Sequence, residues 1–512
     1  MSSIADPSVD EAAIGAINDA AGYCRTLWAT FIGYAATIFV LTSGTTHEAL
    51  LRRTPVKLPL FNVDSGIPLL LFYVIAPLLL VLFHLNLLMK LHDLRVRVSE
   101  LILPLNYCDD ANAQFERNRL RRRLMAFDYA MLKAGLVTDR RERWLLALVS
   151  DSTIFFMPVL LLLFVQLQFL PYHDGKITWL QRGFVIADLG LIAYIQLWLR
   201  AKRAPAATQA AGAMAGWTSR LRLHRMAMSA LFVLPLLVST IVLAFPGEPQ
   251  DVFWRTLWSM THSQTQAFWP LAGTDFAEKF GIRRSLNLAD RTLWAELPSE
   301  ELLQALNQDT IVIALRDDIE GVSPEMQRTV ERIRNAALSL RGRNLSYANF
   351  ENATLIAADF RPDLSNNQLR DLSVARTAGE DSNELGMLPA STDITGASFS
   401  GANLRGARFP YVLADDAEFS AANLQSAVLA FAQLRNADFY QARLQNASLE
   451  SAQLQGATMA EAQLQSTDLK HAHVTIDQLM VAHWEDAELD FDIAEQLKTS
   501  FPRTGDHEGQ PK

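Results

Sequence analysis

The stretch ASFSGANLRGARF, residues 397–409, shows the pattern that decides the fold of the C-terminal half of this chain. A large apolar residue recurs at every fifth position from Ile394 to Val474, and Ala414 is the one break in the series. Two positions before each of these residues lies a small residue, which is alanine in most repeats. The exceptions among the small residues are Thr392, Val412 and Thr467.

A period of five cannot keep its apolar residues on one side of a regular element. Five residues of an α-helix turn the chain by roughly 500°, so successive apolar residues would lie about 140° apart around the axis. In a strand, an odd period would send them alternately to opposite faces. The pattern therefore predicts a chain that bends once per repeat, and tandem repeats of fixed length are typical of a solenoid.

This repeat resembles that of the pentapeptide-repeat proteins, and an upstream run at Leu345, Phe350, Leu355 and Phe360 has the same phase. The resemblance implies a right-handed quadrilateral β-helix with four repeats per coil. We expect the solenoid at residues 341–480, an insert at 361–391, and an acidic cap and tail at 481–512. The residues predicted to fill the solenoid core are Leu345, Phe350, Phe399, Leu404, Phe409, Phe419, Leu424, Leu434, Phe439, Leu444, Leu454, Leu464 and Leu469.

The N-terminal half has a different character. Mean hydropathy over all 512 residues is +0.09, but the apolar residues concentrate before residue 246, whereas residues 341–512 hold 24 acidic against 13 basic side chains. A helix needs about 20 mostly apolar residues to span a bilayer. On that basis we predict an α-helical transmembrane bundle of about five spans, near residues 27–43, 66–89, 145–170, 179–199 and 226–245.

Charges in the connections predict the topology of these spans. The 90–143 connection holds 12 lysines and arginines, and the 200–225 connection holds six and no acid. Because positive connections stay on the cytoplasmic side, we expect both of these inside the cell. The repeat domain would then lie on the outer side of the cell membrane. Residues 115–136, within the basic inner loop 90–143, are predicted to be helical, with their charges on a solvated face beside the bundle. The alternative interpretation is a surface helix bound to anionic lipid.

Two flanking regions complete the predicted domain organisation. Residues 1–26 have the spacing of a short amphipathic helix. Residues 246–340 begin with an aromatic-rich stretch suited to the lipid headgroup level. They continue as a bridge that we expect to cap the first coil of the solenoid, because the open ends of a solenoid expose unpaired backbone groups.

The sequence offers few groups for chemistry. We find no glycine-rich phosphate loop, nucleophile elbow, CxxC pair or HExxH motif, and Cys24 and Cys108 have no metal or disulfide spacing. His471, His473 and His483 are interpreted as surface residues of the last coils. Ionisable residues inside spans are costly and often mark an ion or substrate path. The candidate intramembrane polar site is therefore His84, Asp151 and Asp188.

Two classes of function compete on these observations. The first is a non-enzymatic, membrane-anchored scaffold that presents a rigid acidic solenoid to a protein partner, with membrane lipid as its other partner. The second is a small transporter or channel that uses the intramembrane histidine and aspartates, with the solenoid as an accessory. Some proteins of the resembled family mimic DNA and bind topoisomerase, but a membrane anchor argues against that role here. We expect no cofactor, no metal and no nucleic-acid partner, and fold analogy alone assigns no function.

Overall fold

The computed structural model describes residues 7–56, 66–102, 110–124, 128–134, 136–137, 139–201, 234–236, 238–239, 285–316, 323–364 and 391–500. The chain divides into two compact units, one built largely from residues 1–282 and the other largely from residues 283–512. The first unit is helical in its described part. The second combines a stack of short β-bridges with several short helices.

Long helices build the N-terminal unit, and the longest pack against one another through apolar side chains. Helix α3 lies against both α1 and α8, and α7 contacts α1, α3 and α8. A π-helical segment, Ser152–Phe156, joins α6 to α7 without a break. The helices are α1 (Pro7–Ser43), α2 (His47–Arg52), α3 (Leu69–Ile102), α4 (Asp110–Arg123), α5 (Asp128–Ala134), α6 (Arg140–Asp151), α7 (Met157–Phe169) and α8 (Gly175–Ala201).

Three stretches of helix within the described residues are long and apolar enough to cross a membrane, rather than the five predicted. They are Glu11–Ser43, Leu69–Ile102 and Arg140–Tyr172, which contain the predicted spans 27–43 and 145–170 and most of 66–89. The predicted span 179–199 lies in α8, which is not among these three stretches. Most of the predicted span 226–245 lies outside the described residues.

The C-terminal unit is a solenoid in which each coil takes 20 residues and has four walls. Along one wall, Ser398 pairs with Glu418, Glu418 with Asp438, and Asp438 with Thr458, all in parallel bridges. Each bridge involves one residue per repeat, so the walls are single-residue bridges rather than continuous strands. The core residues are Leu345, Ile394, Ala414, Leu434 and Leu454 in wall 1; Phe350, Phe399, Phe419, Phe439 and Met459 in wall 2; Leu355, Leu404, Leu424, Leu444 and Leu464 in wall 3; and Phe360, Phe409, Leu429, Leu449 and Leu469 in wall 4.

The corners between walls explain the five-residue period. The N–H of the small residue in one repeat donates to the carbonyl of the core residue before it, as from Ala402 to Phe399 at 2.9 Å. Two residues lie between them at each corner, and the second has a left-handed backbone, whether it is Gly401 at φ 68° or Phe431 at φ 61°. Glycine adopts this conformation without a steric penalty, whereas other residues are strained in it. The sequence nevertheless places non-glycine residues at most corners.

The insert leaves the path of the solenoid unchanged. Asn344 pairs with Asp393, and the Leu345 N–H donates to the Asp393 carbonyl at 2.6 Å. Phe360 stacks on Phe409 with ring centroids 4.3 Å apart. The coil before the insert is thus directly followed in the ladder by the coil after it. Residues 365–390 of the predicted insert lie outside the described residues.

Both ends of the solenoid are extended by flanking sequence. At the N-terminal end, Asn287 pairs with Asn349 and Thr292 with Thr354, so residues 285–294 add half a coil. Residues 296–336, which we name the arm, then leave the coil. Their helices are α9 (Glu300–Ala305), α10 (Asp309–Ala314) and α11 (Pro324–Ala336), and they pack against Ile356 and Ala357 at the corner between walls 3 and 4. The aromatic-rich stretch at 250–270 lies outside the described residues.

At the C-terminal end, the ladder of bridges continues past residue 480, where the sequence predicted its end. Helix α12 (Ile476–Met480) takes the place of the next wall 2 repeat, and it begins with a capping box between Thr475 and Gln478. The chain then returns to the coil, because Gln463 pairs with His483 and Asp468 with Glu488. Helix α13 (Phe491–Ser500) follows.

Candidate functional site

Two of the three predicted intramembrane residues meet in the helical unit. His84 on α3 and Asp188 on α8 are both fully buried, and His84 Nδ1 lies 2.5 Å from Asp188 Oδ1. The other ring nitrogen, His84 Nε2, lies 2.8 Å from the carbonyl oxygen of Ile154. Phe31 stacks on the histidine ring with centroids 5.6 Å apart. The pair therefore connects two helices through one hydrogen bond and a third segment through another.

The partners of His84 fix where its protons lie. A carbonyl oxygen only accepts, so Nε2 must carry the proton that is donated to Ile154. One further proton is then shared between His84 Nδ1 and Asp188 Oδ1. The pair is either an imidazolium beside a carboxylate or an imidazole beside a carboxylic acid, and both forms have zero net charge. A neutral pair is the arrangement that a low-dielectric interior favours, since burying an unpaired charge is costly.

The π-helical segment supplies the carbonyl that His84 uses. Ile154 lies inside Ser152–Phe156. In this π-helical segment a backbone N–H donates to the carbonyl five residues earlier, rather than four as in an α-helix, as from Met157 to Ser152. Asp151, the third predicted residue, directly precedes this segment and is half-buried. The structure places Asp151 outside the hydrogen bonds that join His84 and Asp188.

A second buried polar cluster lies in the same unit. Gln166 and Ser239 exchange two hydrogen bonds, at 2.9 Å from the amide to the carbonyl and 2.7 Å from the hydroxyl to the amide oxygen. Arg182 is fully buried, donates to the same Ser239 carbonyl at 3.2 Å, and its guanidinium lies 4.6 Å from the centroid of the Trp179 ring. Sequence reasoning missed this cluster, because Gln166 and Ser239 are uncharged residues within apolar runs and only Arg182 stands out.

The predicted core residues of the solenoid all lie inside it. Leu345 is 1% exposed and the other twelve are fully buried. The phenylalanines of wall 2 stack in parallel through the first coils, with centroids 4.9 Å apart for Phe350 and Phe399 and 5.2 Å for Phe419 and Phe439. The wall 4 ring of Phe409 meets Phe419 edge-on at 6.2 Å. Such parallel and T-shaped contacts add to the stabilisation that burial provides.

The structure explains two of the three repeats that lack alanine at the small position. Thr392 and Thr467 are fully buried where most repeats have alanine. The Thr467 hydroxyl donates to the Leu444 carbonyl at 2.8 Å, and the Thr392 hydroxyl donates to the Arg361 carbonyl at 3.1 Å. Thr392 therefore ties the start of the later coils to the segment from which the insert departs.

Wall 2 is the acidic side of the solenoid. The outward positions beside its core residues carry Glu351, Glu418, Asp438 and Glu461, and among these positions there is no lysine or arginine. Three of the four are exposed and Asp438 is partly buried. Side chains pair between coils, as from the Ser420 hydroxyl to Asp438 at 2.5 Å and from the Gln441 amide to Glu461 at 2.6 Å. The wall thus presents several carboxylates, two of which are held by side chains of the neighbouring coil.

The histidines near the C-terminal end do not converge. His471 Nδ1 lies 3.6 Å from an Asp490 carboxylate oxygen, and His483 pairs through its backbone with Gln463 on wall 3. Within the described part of the chain, no three or more histidine, cysteine, aspartate and glutamate side chains are grouped so that they could hold a metal ion.

Comparison with known proteins identifies the repeat. The family model for pentapeptide repeats matches eight copies, at residues 339–361, 390–411, 413–441 and 437–475. The C-terminal region is a pentapeptide-repeat domain. The N-terminal region matches no family. No curated protein sequence matches the chain.

Solved pentapeptide-repeat structures resemble this domain only distantly. A protein from the thylakoid lumen of Arabidopsis thaliana is 22% identical over 27% of this chain and 74% of its own, with a TM-score of 0.19. Rfr23 from the cyanobacterium Cyanothece is 23% identical over 29% of this chain and 88% of its own, with a TM-score of 0.13. The plasmid-mediated fluoroquinolone resistance protein QnrB1 is 13% identical over 32% and 97%, with a TM-score of 0.15.

Proposed function

We propose that this protein is a membrane-anchored, non-enzymatic interaction module that presents its pentapeptide-repeat domain to a protein partner. The observation that carries the proposal is the construction of wall 2. Its core is filled by stacked phenylalanines, its backbone bonds are satisfied within the ladder, and its outward side chains form an ordered acidic surface. A rigid surface of this kind can bind without reorganising, which lowers the entropic cost of association.

The anchor is supported by the three apolar helices of the N-terminal unit. The excess of lysine and arginine in the 90–143 and 200–225 connections favours an inner-membrane protein with those connections in the cytoplasm. The repeat domain would then lie on the outer side, which is the periplasm in a bacterium. Membrane lipid is thus one partner, and the protein bound by the solenoid is the other.

We assign wall 2 as the docking face because of its charge and because the arm lies elsewhere. The arm packs at the corner between walls 3 and 4. The partner of wall 2 would carry basic side chains at a spacing that matches successive coils, about 4.8 Å between neighbouring bridged residues. Complementary charge of this kind mainly raises the association rate and the specificity.

Site-specific photocrosslinking in cells tests this assignment. A photoreactive residue at Ser420 of wall 2 should capture a partner, and one at Gln425 of wall 3 serves as the control. Adding Glu418→Lys and Glu461→Lys to the Ser420 probe should abolish the crosslink, because two of the exposed acidic charges of wall 2 are reversed. Equal crosslinking from Ser420 and Gln425, or a crosslink that survives both reversals, would contradict the assignment.

The sidedness of the domain has a separate test. In a chain with Cys24 and Cys108 replaced by serine, a single cysteine at Glu461 should react with a membrane-impermeant maleimide in intact cells whose outer membrane is permeable to the reagent. A cysteine at Arg140, in the basic connection, should react only after the cell membrane is opened. The reverse labelling pattern would place the repeats in the cytoplasm.

The His84–Asp188 pair favours a second candidate function, a proton-coupled transporter or channel. Asp188 Oδ2 is buried, and among the described residues it has no hydrogen-bond partner. A carboxylate that shares a proton on one oxygen and offers the other is suited to passing a proton. Asp188→Asn would then abolish proton movement into proteoliposomes, followed with an internal pH-sensitive dye. If proteoliposomes that contain the unmodified protein move protons no faster than empty vesicles, this function is ruled out.

A further inference from the structure

A proline inside α3 creates a polar junction between three helices. Pro77 has no backbone N–H, so the carbonyl of Tyr73, four residues earlier, lacks its usual donor within the helix. The side-chain amide of Gln181 on α8 donates to that carbonyl instead, at 3.3 Å. The neighbouring carbonyl of Ala76 accepts from the hydroxyl of Tyr34 on α1 at 3.1 Å. We name these five residues the proline junction.

The proline junction leaves one oxygen of Gln181 without a donor. The side chain is 2% exposed, and its Oε1 has no hydrogen-bond partner among the described residues. Asp188 on the same helix is fully buried, and its Oδ1 faces His84 while its Oδ2 has no such partner either. Leaving two buried acceptors without donors is costly. Internal water is the donor that proteins commonly use at buried polar positions of this kind.

The two oxygens belong to one face of α8. Gln181 and Asp188 are seven residues apart, which is two turns or about 10 Å of helix. The side chain of Asp188 leans back toward Gln181, because Cα–Cβ bonds tilt toward the N-terminus of a helix. Val185 lies between them on the same buried face, which packs against α3. A short file of water beside Val185 would supply both oxygens with a donor.

The other side of the His84–Asp188 pair is apolar. The buried positions that follow His84 on α3 include Leu87 and Leu91, and the buried position one turn past Asp188 on α8 is Ile192. None of these side chains offers a hydrogen bond to water, and apolar sites of this kind stay dry. Polar groups thus approach the pair from the proline junction and not from the opposite side.

We propose that protons reach the His84–Asp188 pair from the proline junction, through internal water that bridges Gln181 Oε1 and Asp188 Oδ2. A proton that arrives on this water passes to Oδ2, and the proton shared between His84 Nδ1 and Asp188 Oδ1 stays in place. The charge gained by the pair is the charge lost by the water. The proposal rests on the second candidate function and supplies its entry side. In the proposed topology α8 begins on the outer side, so protons enter from outside the cell.

Exchange of the His84 ring protons with heavy water tests the route without requiring transport. The full-length protein, labelled with nitrogen-15 histidine, is placed in liposomes, and solid-state NMR follows the His84 N–H signals, which are assigned by their absence from His84→Leu. They should exchange at least about tenfold faster than the backbone amides of α3 and α8, which exchange only when the helices open. Exchange no faster than that of these amides would overturn the proposal.

Variants then locate the water. Gln181→Met removes the amide at nearly constant volume and should slow the exchange about tenfold, as expected when the water loses one hydrogen bond. Gln168→Met, the same change at a half-buried position of α7, should leave the exchange rate unchanged. Val185→Ile narrows the space beside the file and should also slow the exchange, so it tests the route even if Gln181→Met folds poorly. Unchanged exchange in Gln181→Met or Val185→Ile, or equal slowing in Gln168→Met, would contradict the route.

Proton movement in proteoliposomes separates the route from the candidate function. Fast exchange that depends on Gln181, in a protein that moves no protons, supports the route and rules out the transporter. Proton movement that is equally fast in Gln181→Met and in the unmodified protein supports the transporter and overturns the route.

Discussion

The helical unit and the solenoid solve the burial of polar groups in opposite ways. In the helical unit buried polar side chains pair individually, as His84 does with Asp188 and Ile154, and as Arg182 does with Ser239. In the solenoid the backbone ladder satisfies its own N–H and C=O groups, and nearly all core side chains are apolar. Individual contacts thus hold the first unit together, whereas repetition holds the second.

This difference determines how each unit should respond to mutation. A repeated core spreads the loss of one side chain over neighbouring coils, since the stability of a solenoid is roughly a sum of repeat and interface contributions. A unique polar pair concentrates its contribution, because removing one partner leaves the other buried and unpaired. Substitutions in the two units therefore test whether their stability depends on repetition or on single contacts.

The largest expected effect is that of a phenylalanine in the wall 2 stack. Phe419→Ala removes a fully buried ring that stacks on Phe399 and Phe439, and it should lower the free energy of unfolding by about 3–5 kcal/mol. Hydrogen exchange should show the loss in the coils on both sides of residue 419. Phe491→Ala, at a ring that is 78% exposed, is the matched control and should change stability little. Loss of protection confined to one coil would contradict a spread response.

The buried pair His84–Asp188 should give the next largest effect on stability, and a double-mutant cycle distinguishes it from other contacts. His84→Leu leaves Asp188 buried without its partner and should cost about 3 kcal/mol in thermal unfolding of the detergent-solubilised protein. The double variant His84→Leu, Asp188→Leu should recover most of that loss, since apolar replacement of both partners is often close to neutral. If the loss of stability in the double variant equals the sum of the two single losses, His84 and Asp188 do not stabilise the unit through their contact with each other.

Contact between the arm and the solenoid gives a smaller effect that depends on one glycine. Gly406 has φ 64°, and a methyl group added there would lie 2.6 Å from Leu315 Cβ in the arm. Gly406→Ala should therefore cost about 2 kcal/mol, from left-handed strain together with overpacking. Limited proteolysis should then cut the arm more readily.

Gly456→Ala is the matched control for this contact. It has the same left-handed backbone at φ 73°, but the nearest atom to an added methyl group is the end of the flexible Asn436 side chain. Only the backbone strain of about 1 kcal/mol should remain. Equal destabilisation by the two substitutions would mean that Leu315 adjusts freely.

The smallest expected effect is that of an ion pair that holds the arm along wall 4. Arg316 Nη2 lies 3.6 Å from Asp468 Oδ2, with both side chains largely buried. Arg316→Ala should cost at most about 1 kcal/mol in thermal unfolding, and added salt should change that cost little. The exposed pair of Lys470 and Glu488, at 2.6 Å, is the comparison. Lys470→Ala should leave the unfolding temperature unchanged, and a larger effect than that of Arg316→Ala would reverse our ranking.

The sequence predicted the solenoid in detail for a physical reason. Every wall repeats the same local structure. The spacing of a core residue such as Leu404 or Phe409 is therefore enough to predict that its side chain is buried. The ends were less predictable, because α12 replaces a repeat and the bridges resume at His483. The position of the arm could not be predicted either. The five-residue period does not extend into the arm, so it does not show that Leu315 lies beside Gly406.

The helical unit was predictable as apolar segments but not as contacts. His84 and Asp188 stood out as charged groups in apolar runs, yet Asp151 stood out equally and is not part of their pair. Residues 104 positions apart meet only through packing of α3 and α8. Arg182 lies within the predicted span 179–199, and its neighbours Gln166 and Ser239 are uncharged residues that the sequence pattern did not single out. Unique polar contacts leave no period in the sequence.

The pairing of Asn344 with Asp393 makes one corner of the solenoid a point of entry for new sequence. The chain departs and returns at adjacent coils, so the length between them is not fixed by the coil. Closing a longer loop is inexpensive, because each doubling of its length adds only about 0.6 kcal/mol. A small folded domain could therefore be inserted between residues 365 and 390 while the walls keep their register. The solenoid would then hold the inserted domain at a fixed coil.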